Sequence, residues 1–441
     1  MRFIKSKLFL SLCILICALI FSSTVSEASQ SRKSGNPVII VIDPGHGGEN
    51  NGTEECGFLE KEMTLKTAKT MAAELEKFEG VKVYLTREDD KELSLKERAK
   101  IAEKYHADYL ISLHYNASES HKLFGSEVWV SLIPEYHNPG YQLGTMFLRE
   151  FRDMGLTLRG IKTKRHSKGN DYYGILRESV NLKIPAIIVE HCHVDHAADN
   201  SYCDSDEELE EFGRADARAV AKYLGLKSDA LGIDYSDEVN TLPEVTAGKL
   251  VPRAAQDQTI PEYCNIKLKE AKYEEDLVTI EVSASDPESN LIYYSYSFDG
   301  GVHFCDSIPW PEGDILAGEF TGKFEVEIEI PDNTSPQLVF RATNPYDLNN
   351  DSNVITFDQV FHKPEPTPEP EPSFVDATAK LLGEEKEEEE EHANDLLLYG
   401  VIAGVVVILV IVILIICAKS SKKGSNNKSN QKSDSKANKK R

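Results

Sequence analysis

The feature that most limits the fold of this chain is a series of short apolar runs, each of which ends in polar residues. Val41 to Gly48 reads Val-Ile-Asp-Pro-Gly-His-Gly-Gly, Ile111 to Ala117 reads Ile-Ser-Leu-His-Tyr-Asn-Ala, and Pro185 to Glu190 reads Pro-Ala-Ile-Ile-Val-Glu. Unbroken apolar runs of this length suit strands covered on both faces. Between them stand helical patterns: Lys61 to Phe78, with Leu65, Ala68, Ala72 and Leu75 on one side, and a helix opened by the capping box Ser94-Leu95-Lys96-Glu97 and running to about His106. Further strands are expected at Val81–Thr86, Tyr109–Asn116 and Glu127–Leu132, and further helices near Tyr141–Met154 and Glu207–Leu224. Strands alternating with helices predict an α/β fold, a doubly wound, mostly parallel sheet over residues 37–226.

In such a sheet ligands gather at the carboxyl ends of the strands, where His46 and His114 stand. Glu60, in Gly57-Phe58-Leu59-Glu60-Lys61, precedes a helix and can turn into the same crevice; Glu62 competes with it on spacing alone. Two imidazoles and one carboxylate are a set that holds zinc and leaves a position open for water. Glu190, at the end of an apolar strand, could handle the proton of that water. These residues predict a metal-dependent hydrolase.

Several separated stretches carry a more specific resemblance. Ile42 to Gly48, Gly57 to Lys61, Leu85-Thr86-Arg87 with Asp89 or Asp90, Leu95 with Arg98, Ile111 to Ala117, Arg159-Gly160-Ile161-Lys162, Leu176-Arg177 and Pro185 to Glu190 occur in this order. Together they resemble the zinc-dependent N-acetylmuramoyl-L-alanine amidases of the type 3 family over nearly all of residues 37–226. The resemblance implies that His46, Glu60 and His114 bind Zn2+, that Glu190 is the catalytic carboxylate, and that the substrate is peptidoglycan, cut between N-acetylmuramic acid and the L-alanine of the stem peptide. Two alternatives stay open: a zinc exopeptidase acting on wall peptides, and an inactive surface protein that binds peptidoglycan without cutting it. The chain departs from the family pattern after Glu190, where His191-Cys192-His193-Val194-Asp195-His196 reads either as an accessory metal site or as local packing. Arg87 and Arg98 read as structural ion-pair formers.

The remainder of the 441 residues changes composition sharply. Arg2, Lys5 and Lys7, an apolar run from Leu8 to Phe21 and then Ser26-Glu27-Ala28 predict a signal peptide over 1–28. Residues 227–261 read as a linker. Residues 262–361 show short alternating runs (Leu277–Ala284, Leu291–Phe298, Phe324–Ile330, Gln337–Ala342) separated by turn clusters, which predict an immunoglobulin-like β-sandwich domain. Residues 362–395 are rich in Pro and Glu and read as an acidic stalk. Leu396 to Cys417 carries no charge and predicts a single transmembrane helix, with the basic tail 418–441 in the cytoplasm and the catalytic domain outside, facing the wall. A formal net charge of −24 argues against a nucleic-acid partner. Of the five cysteines outside the two apolar terminal segments, Cys192–Cys203 and Cys264–Cys305 are plausible disulfides, and free buried thiols are equally open. Oligomeric state is not legible.

Overall fold

A computed structural model describes residues 36–243, 257–311 and 321–362. All of them belong to one compact unit that ends at Lys363. Its amino-terminal part is built on a six-stranded sheet in the order β2-β1-β3-β6-β4-β5. The strands are β1 (Val38–Pro44), β2 (Val81–Leu85), β3 (Tyr109–Asn116), β4 (Ser126–Val130), β5 (Leu158–Lys162) and β6 (Ala186–His193). β1, β2, β3 and β6 run parallel. β4 lies antiparallel to β6 and carries β5 in parallel beside it. The central strands are apolar without interruption because both faces are covered: Leu110, Ile111, Leu113, Ile187, Ile188 and Val189 are all buried.

The helices are α1 (Glu60–Leu75), α2 (Leu95–Lys104), α3 (Pro134–Asp153), α4 (Gly174–Asn181), the single turn α5 (Ala197–Asn200) and α6 (Asp206–Leu224). Ser94 opens α2 through the expected capping box, its side chain accepting from Glu97 N while the Glu97 carboxylate accepts from Ser94 N. α6 stops at Gly225, which turns left-handed at φ 59°. α1 buries Met63, Thr67, Ala68, Met71 and Leu75, a stripe rotated from the one expected. It packs on α6 as well as on the sheet, so closely that a Cβ at Gly213 would meet the Thr67 carbonyl oxygen at 2.6 Å. β5 and α4 were not expected, because β5 places Arg159 and Lys162 where apolar residues mark a strand.

After α6 the chain stays on this core. The short strands β7 (Lys227–Ser228) and β8 (Ile233–Asp234) pair, and Ile233, Tyr235 and Leu242 pack against the main apolar cluster. From Tyr263 onward two antiparallel sheets follow. One has the order β13-β10-β9, formed by β9 (Tyr263–Lys272), β10 (Leu277–Ser285) and β13 (Thr321–Glu329). The other has the order β12-β11-β14-β15, formed by β11 (Tyr293–Ser297), β12 (Ile308–Pro309), β14 (Gln337–Thr343) and β15 (Asn349–Asp351), with β16 (Ile355–Thr356) on β14. Ile280 and Val282 of the first sheet and Leu338 and Phe340 of the second share one core, which makes the pair a sandwich.

One expectation is corrected. No helix among the described residues is long and apolar enough to cross a membrane, so the single transmembrane helix is not supported. The longest helices, α3 and α6, carry Arg149 and Arg152 or Asp206, Glu207 and Arg214 on a polar face, as helices packed against one side of a sheet do. The run Leu396–Cys417 lies outside the described residues, as do the expected signal peptide, nearly all of the stalk and the basic tail.

Candidate metal centre and its surroundings

β1 and β3 lie side by side, and their carboxyl ends deliver His46 and His114 to one crevice. Gly45 makes this approach possible: a Cβ there would stand 2.3 Å from the His114 ring. His46 itself turns left-handed, at φ 60°, and is held by Asn50, whose Oδ1 is 2.9 Å from His46 Nδ1. Glu60 enters from the first turn of α1. Its Oε1 lies 2.9 Å from His114 Nδ1 and its Oε2 lies 3.1 Å from His46 Nε2. The two imidazoles meet edge to face, with centroids 5.0 Å apart. One ligand atom from each of the three residues falls within 4.8 Å of the others, a group no other His, Cys, Asp or Glu set matches among the described residues. Glu62, the competing candidate, is exposed and takes no part.

The electrostatics suit a cation. Burial pushes the Glu60 carboxylate up, but hydrogen bonds from His114 and His46 overcome this and hold it well below the usual carboxylate range. Backbone N–H groups of Thr53 and Tyr115 donate to the same carboxylate. For His46, burial lowers the pKa, yet the hydrogen bond and the charge of Glu60 leave it raised.

A second ring of residues fixes the loop that carries His46. Arg98 donates to Asp43 Oδ1 (2.7 Å), Pro44 O (2.7 Å) and His46 O (2.6 Å). Arg87 donates to Pro44 O (3.0 Å), Gly45 O (2.8 Å) and Lys61 O (2.7 Å). Asp43 also accepts from Thr86 and Ser112. Both arginines are buried. Arg98 forms the expected ion pair with Asp43, whereas Arg87 is anchored on backbone carbonyls of the site loop and forms none among the described residues. Of the two aspartates named from the sequence, Asp90 closes this corner, accepting from Gly48 N and Lys61 Nζ.

Glu190 stands on β6 in register with His114 of β3 on one side and Glu127 of β4 on the other. Burial pushes its carboxyl well above the usual range, and the charges of Glu60 and Glu127 add to the shift, while Lys162 opposes it. Glu127 was not singled out in the sequence. It is buried, its Oε2 accepts from Arg159 Nε (2.8 Å) and Lys162 Nζ (2.6 Å), and its Oε1 accepts from Trp129 Nε1 and Asn116 Nδ2. The available signal was three charged residues, Glu127, Arg159 and Lys162, lying within otherwise strand-like runs.

The His191–His196 segment is local packing. His191 donates from Nδ1 to His114 O (2.8 Å), pairs with Asp216 at 2.9 Å and stacks on Tyr115. His193 donates to Gly125 O, and His196 caps α5 and stacks on Phe124. These imidazoles take separate partners and do not converge. Cys56, Cys192, Cys203, Cys264 and Cys305 are all free thiols, so neither plausible disulfide is formed.

Comparison with known proteins gives a consistent result. The family model described as N-acetylmuramoyl-L-alanine amidase matches residues 40–222. The amidase CwlM of Bacillus licheniformis is 29% identical over 197 residues, which are 44% of this chain and 72% of that protein. The probable amidase AmiB of Haemophilus influenzae is 44% identical over 96 residues, 21% of this chain and 22% of that one. Among solved structures, the N-acetylmuramoyl-L-alanine amidase AmiC2 of Nostoc punctiforme is 32% identical, with 42% of this chain and 97% of that chain covered at a TM-score of 0.37.

Proposed function

From the membership of residues 40–222 in the N-acetylmuramoyl-L-alanine amidase type 3 family, which makes this domain a peptidoglycan amidase, we propose that His46, Glu60 and His114 hold zinc and that Glu190 moves the proton. The observation that carries the proposal is the convergence of two imidazole nitrogens and one carboxylate oxygen within 4.8 Å, on the strand ends next to Glu190. That donor set fits zinc with a position left open. The chemistry zinc supplies at such a set is Lewis acidity toward the scissile carbonyl and the attacking water. Glu190 accepts the proton of that water at its carboxylate and returns it to the departing amine of L-alanine. A carboxyl whose pKa is raised by burial is suited to holding a proton between these two steps. Arg87 and Arg98 keep the His46 loop from moving as charge develops.

The catalytic domain is further proposed to work outside the cell, facing the wall. The supports are the peptidoglycan substrate and the basic, apolar and small-residue pattern of residues 1–28.

Mass spectrometry of digested peptidoglycan tests the reaction. The wild-type protein should release stem peptides with a free L-alanine amino terminus, and Glu190→Gln or a chelator should abolish their release. Release of terminal amino acids from the stem peptides, with the muramoyl–alanine amide left intact, would instead favour the exopeptidase. Bound zinc without any cleavage would leave a binding protein.

A further inference from the structure

The β-sandwich docks on the catalytic domain at Thr163, Arg159 and Lys162, mainly through one loop. This loop, Asn344–Leu348, is shaped from within the sandwich. Asn344 is buried, its Nδ2 donates to Asp257, Asp286 and Thr259 O, and its Oδ1 accepts from Tyr346 N and Leu348 N. The next three residues all bond to the catalytic domain. Pro345 O accepts from Lys162 Nζ at 2.9 Å. The Tyr346 hydroxyl accepts from Thr163 N at 3.0 Å and donates to Thr163 O at 3.1 Å. Both oxygens of Asp347 accept from Arg159 Nη2, at 2.8 and 3.0 Å. Tyr293 adds a hydrogen bond to Phe124 O, and the Arg159 guanidinium lies 5.7 Å from its ring.

Charge shows what this contact accomplishes. Within the catalytic domain two buried cations, Arg159 and Lys162, face one carboxylate, Glu127. A buried charge without a partner is expensive. Asp347 supplies the second carboxylate, and the cluster becomes two cations against two anions. The Lys162 ammonium is thereby held between Glu127 and Pro345 O, 4.5 Å above the Trp129 ring. Trp129 in turn packs on Tyr173 with centroids 4.9 Å apart. Glu127 is the cross-strand neighbour of Glu190, so whatever fixes Glu127 fixes the ground on which Glu190 stands.

We propose that the sandwich loop Pro345–Asp347 is a positioning element of the amidase site: by holding Lys162 and Arg159 onto Glu127 it sets the placement of Glu190. The sandwich is then an integral part of the catalytic unit and not a spacer. Its loop residues touch no substrate; they act through β4 and β5. The inference rests on the reading of Glu190 as the proton carrier.

The test uses the full chain and a soluble N-acetylmuramoyl-peptide. Asp347→Ala should lower kcat about tenfold while KM stays within about twofold, since misplacing a catalytic group affects the transition state more than binding. Asp347→Glu should recover most of the loss, which an unspecific defect would not. Tyr346→Phe, which keeps the ring and removes only the two bonds to Thr163, should lower kcat about threefold. Amide hydrogen exchange should quicken in β5 and remain slow in β10. Arg341→Ala, which breaks an ion pair inside the sandwich, should leave kcat unchanged. An unchanged kcat in Asp347→Ala with faster exchange in β5 would overturn the proposal, as would a glutamate variant no better than alanine. Glu190→Gln in the otherwise unaltered chain separates the two readings. Full activity there removes the role of Glu190 itself, whereas its loss beside an unaffected Asp347→Ala removes only the role of the loop.

Discussion

Two charged clusters flank Glu190, and they are built on opposite plans. The His46–Glu60–His114 group has one carboxylate between two imidazoles, with the histidine side chains about one-fifth exposed at the crevice. The Glu127–Arg159–Lys162–Asp347 group has two carboxylates and two cations, and its three catalytic-domain members are almost fully buried. In the first, the carboxylate bonds both imidazoles at the rim of a crevice, and one ligand atom from each residue lies within 4.8 Å of the others, so the group can accept a cation. The second has its donors and acceptors directed at each other. On the proposed reading, the open cluster serves chemistry and the closed one serves placement. The strands of the sheet join them: His114 of β3, Glu190 of β6 and Glu127 of β4 stand in neighbouring register.

The sharpest way to break this contrast is to alter Glu190, which belongs to neither cluster. Glu190→Gln should reduce kcat by about 10²- to 10⁴-fold, the range for loss of a general acid–base, with thermal unfolding little changed. Chelation should likewise abolish turnover and leave far-ultraviolet circular dichroism unaltered, because Glu60 already bonds both histidines.

In the closed cluster the largest effect should be on stability. Glu127→Ala strands Lys162 and Arg159 and should cost about 3–5 kcal/mol in denaturant unfolding, as for a buried pair that loses one partner. A loss below about 1 kcal/mol would show that water already reaches the cluster.

A smaller effect involves His193. Burial lowers its pKa to about 4, with the Arg159 charge as a further cause. The unfolded chain therefore takes up this proton first as pH falls. Its contribution is fully present above about pH 6.5 and is lost progressively toward pH 4, by up to about 3 kcal/mol. His193→Gln should flatten that part of the stability profile. The smallest effect expected is for Ser94→Ala, about 1 kcal/mol from the lost cap of α2, with no change in kcat, since neither cluster depends on it directly.

The open cluster was legible because its members sit at strand ends beside small residues, and each stands in a short run with its own pattern. His46 lies between glycines, and His114 and Glu190 close apolar strands. Glu60 was legible but not unique, and choosing it over Glu62 required knowing which side of the first turn of α1 faces the crevice. The closed cluster was not legible in this way. β5 escaped notice because Arg159 and Lys162 are the kind of residue that argues against a buried strand, and they are tolerated there only because Glu127 and Asp347 neutralise them. The stretch after α6 had no periodicity to read, yet Ile233, Tyr235 and Leu242 pack on the core. The His191–His196 segment looked like a candidate metal site because of its composition, although its side chains take separate partners.

The sequence by itself determined the alternation of strands and helices, the two histidines and the glutamate that end or follow them, and the family to which the domain belongs. These are local properties, since apolar periodicity, small residues and capping groups act within a few positions of one another. Only the tertiary structure decided that β4 runs against β6, that Glu127 lies opposite Glu190, and that a loop about 190 residues further along supplies the fourth charge of a buried cluster. The physical reason is that buried charges carry no pattern of their own. Whether Arg159 can be buried depends on a partner that only folding brings within 3 Å.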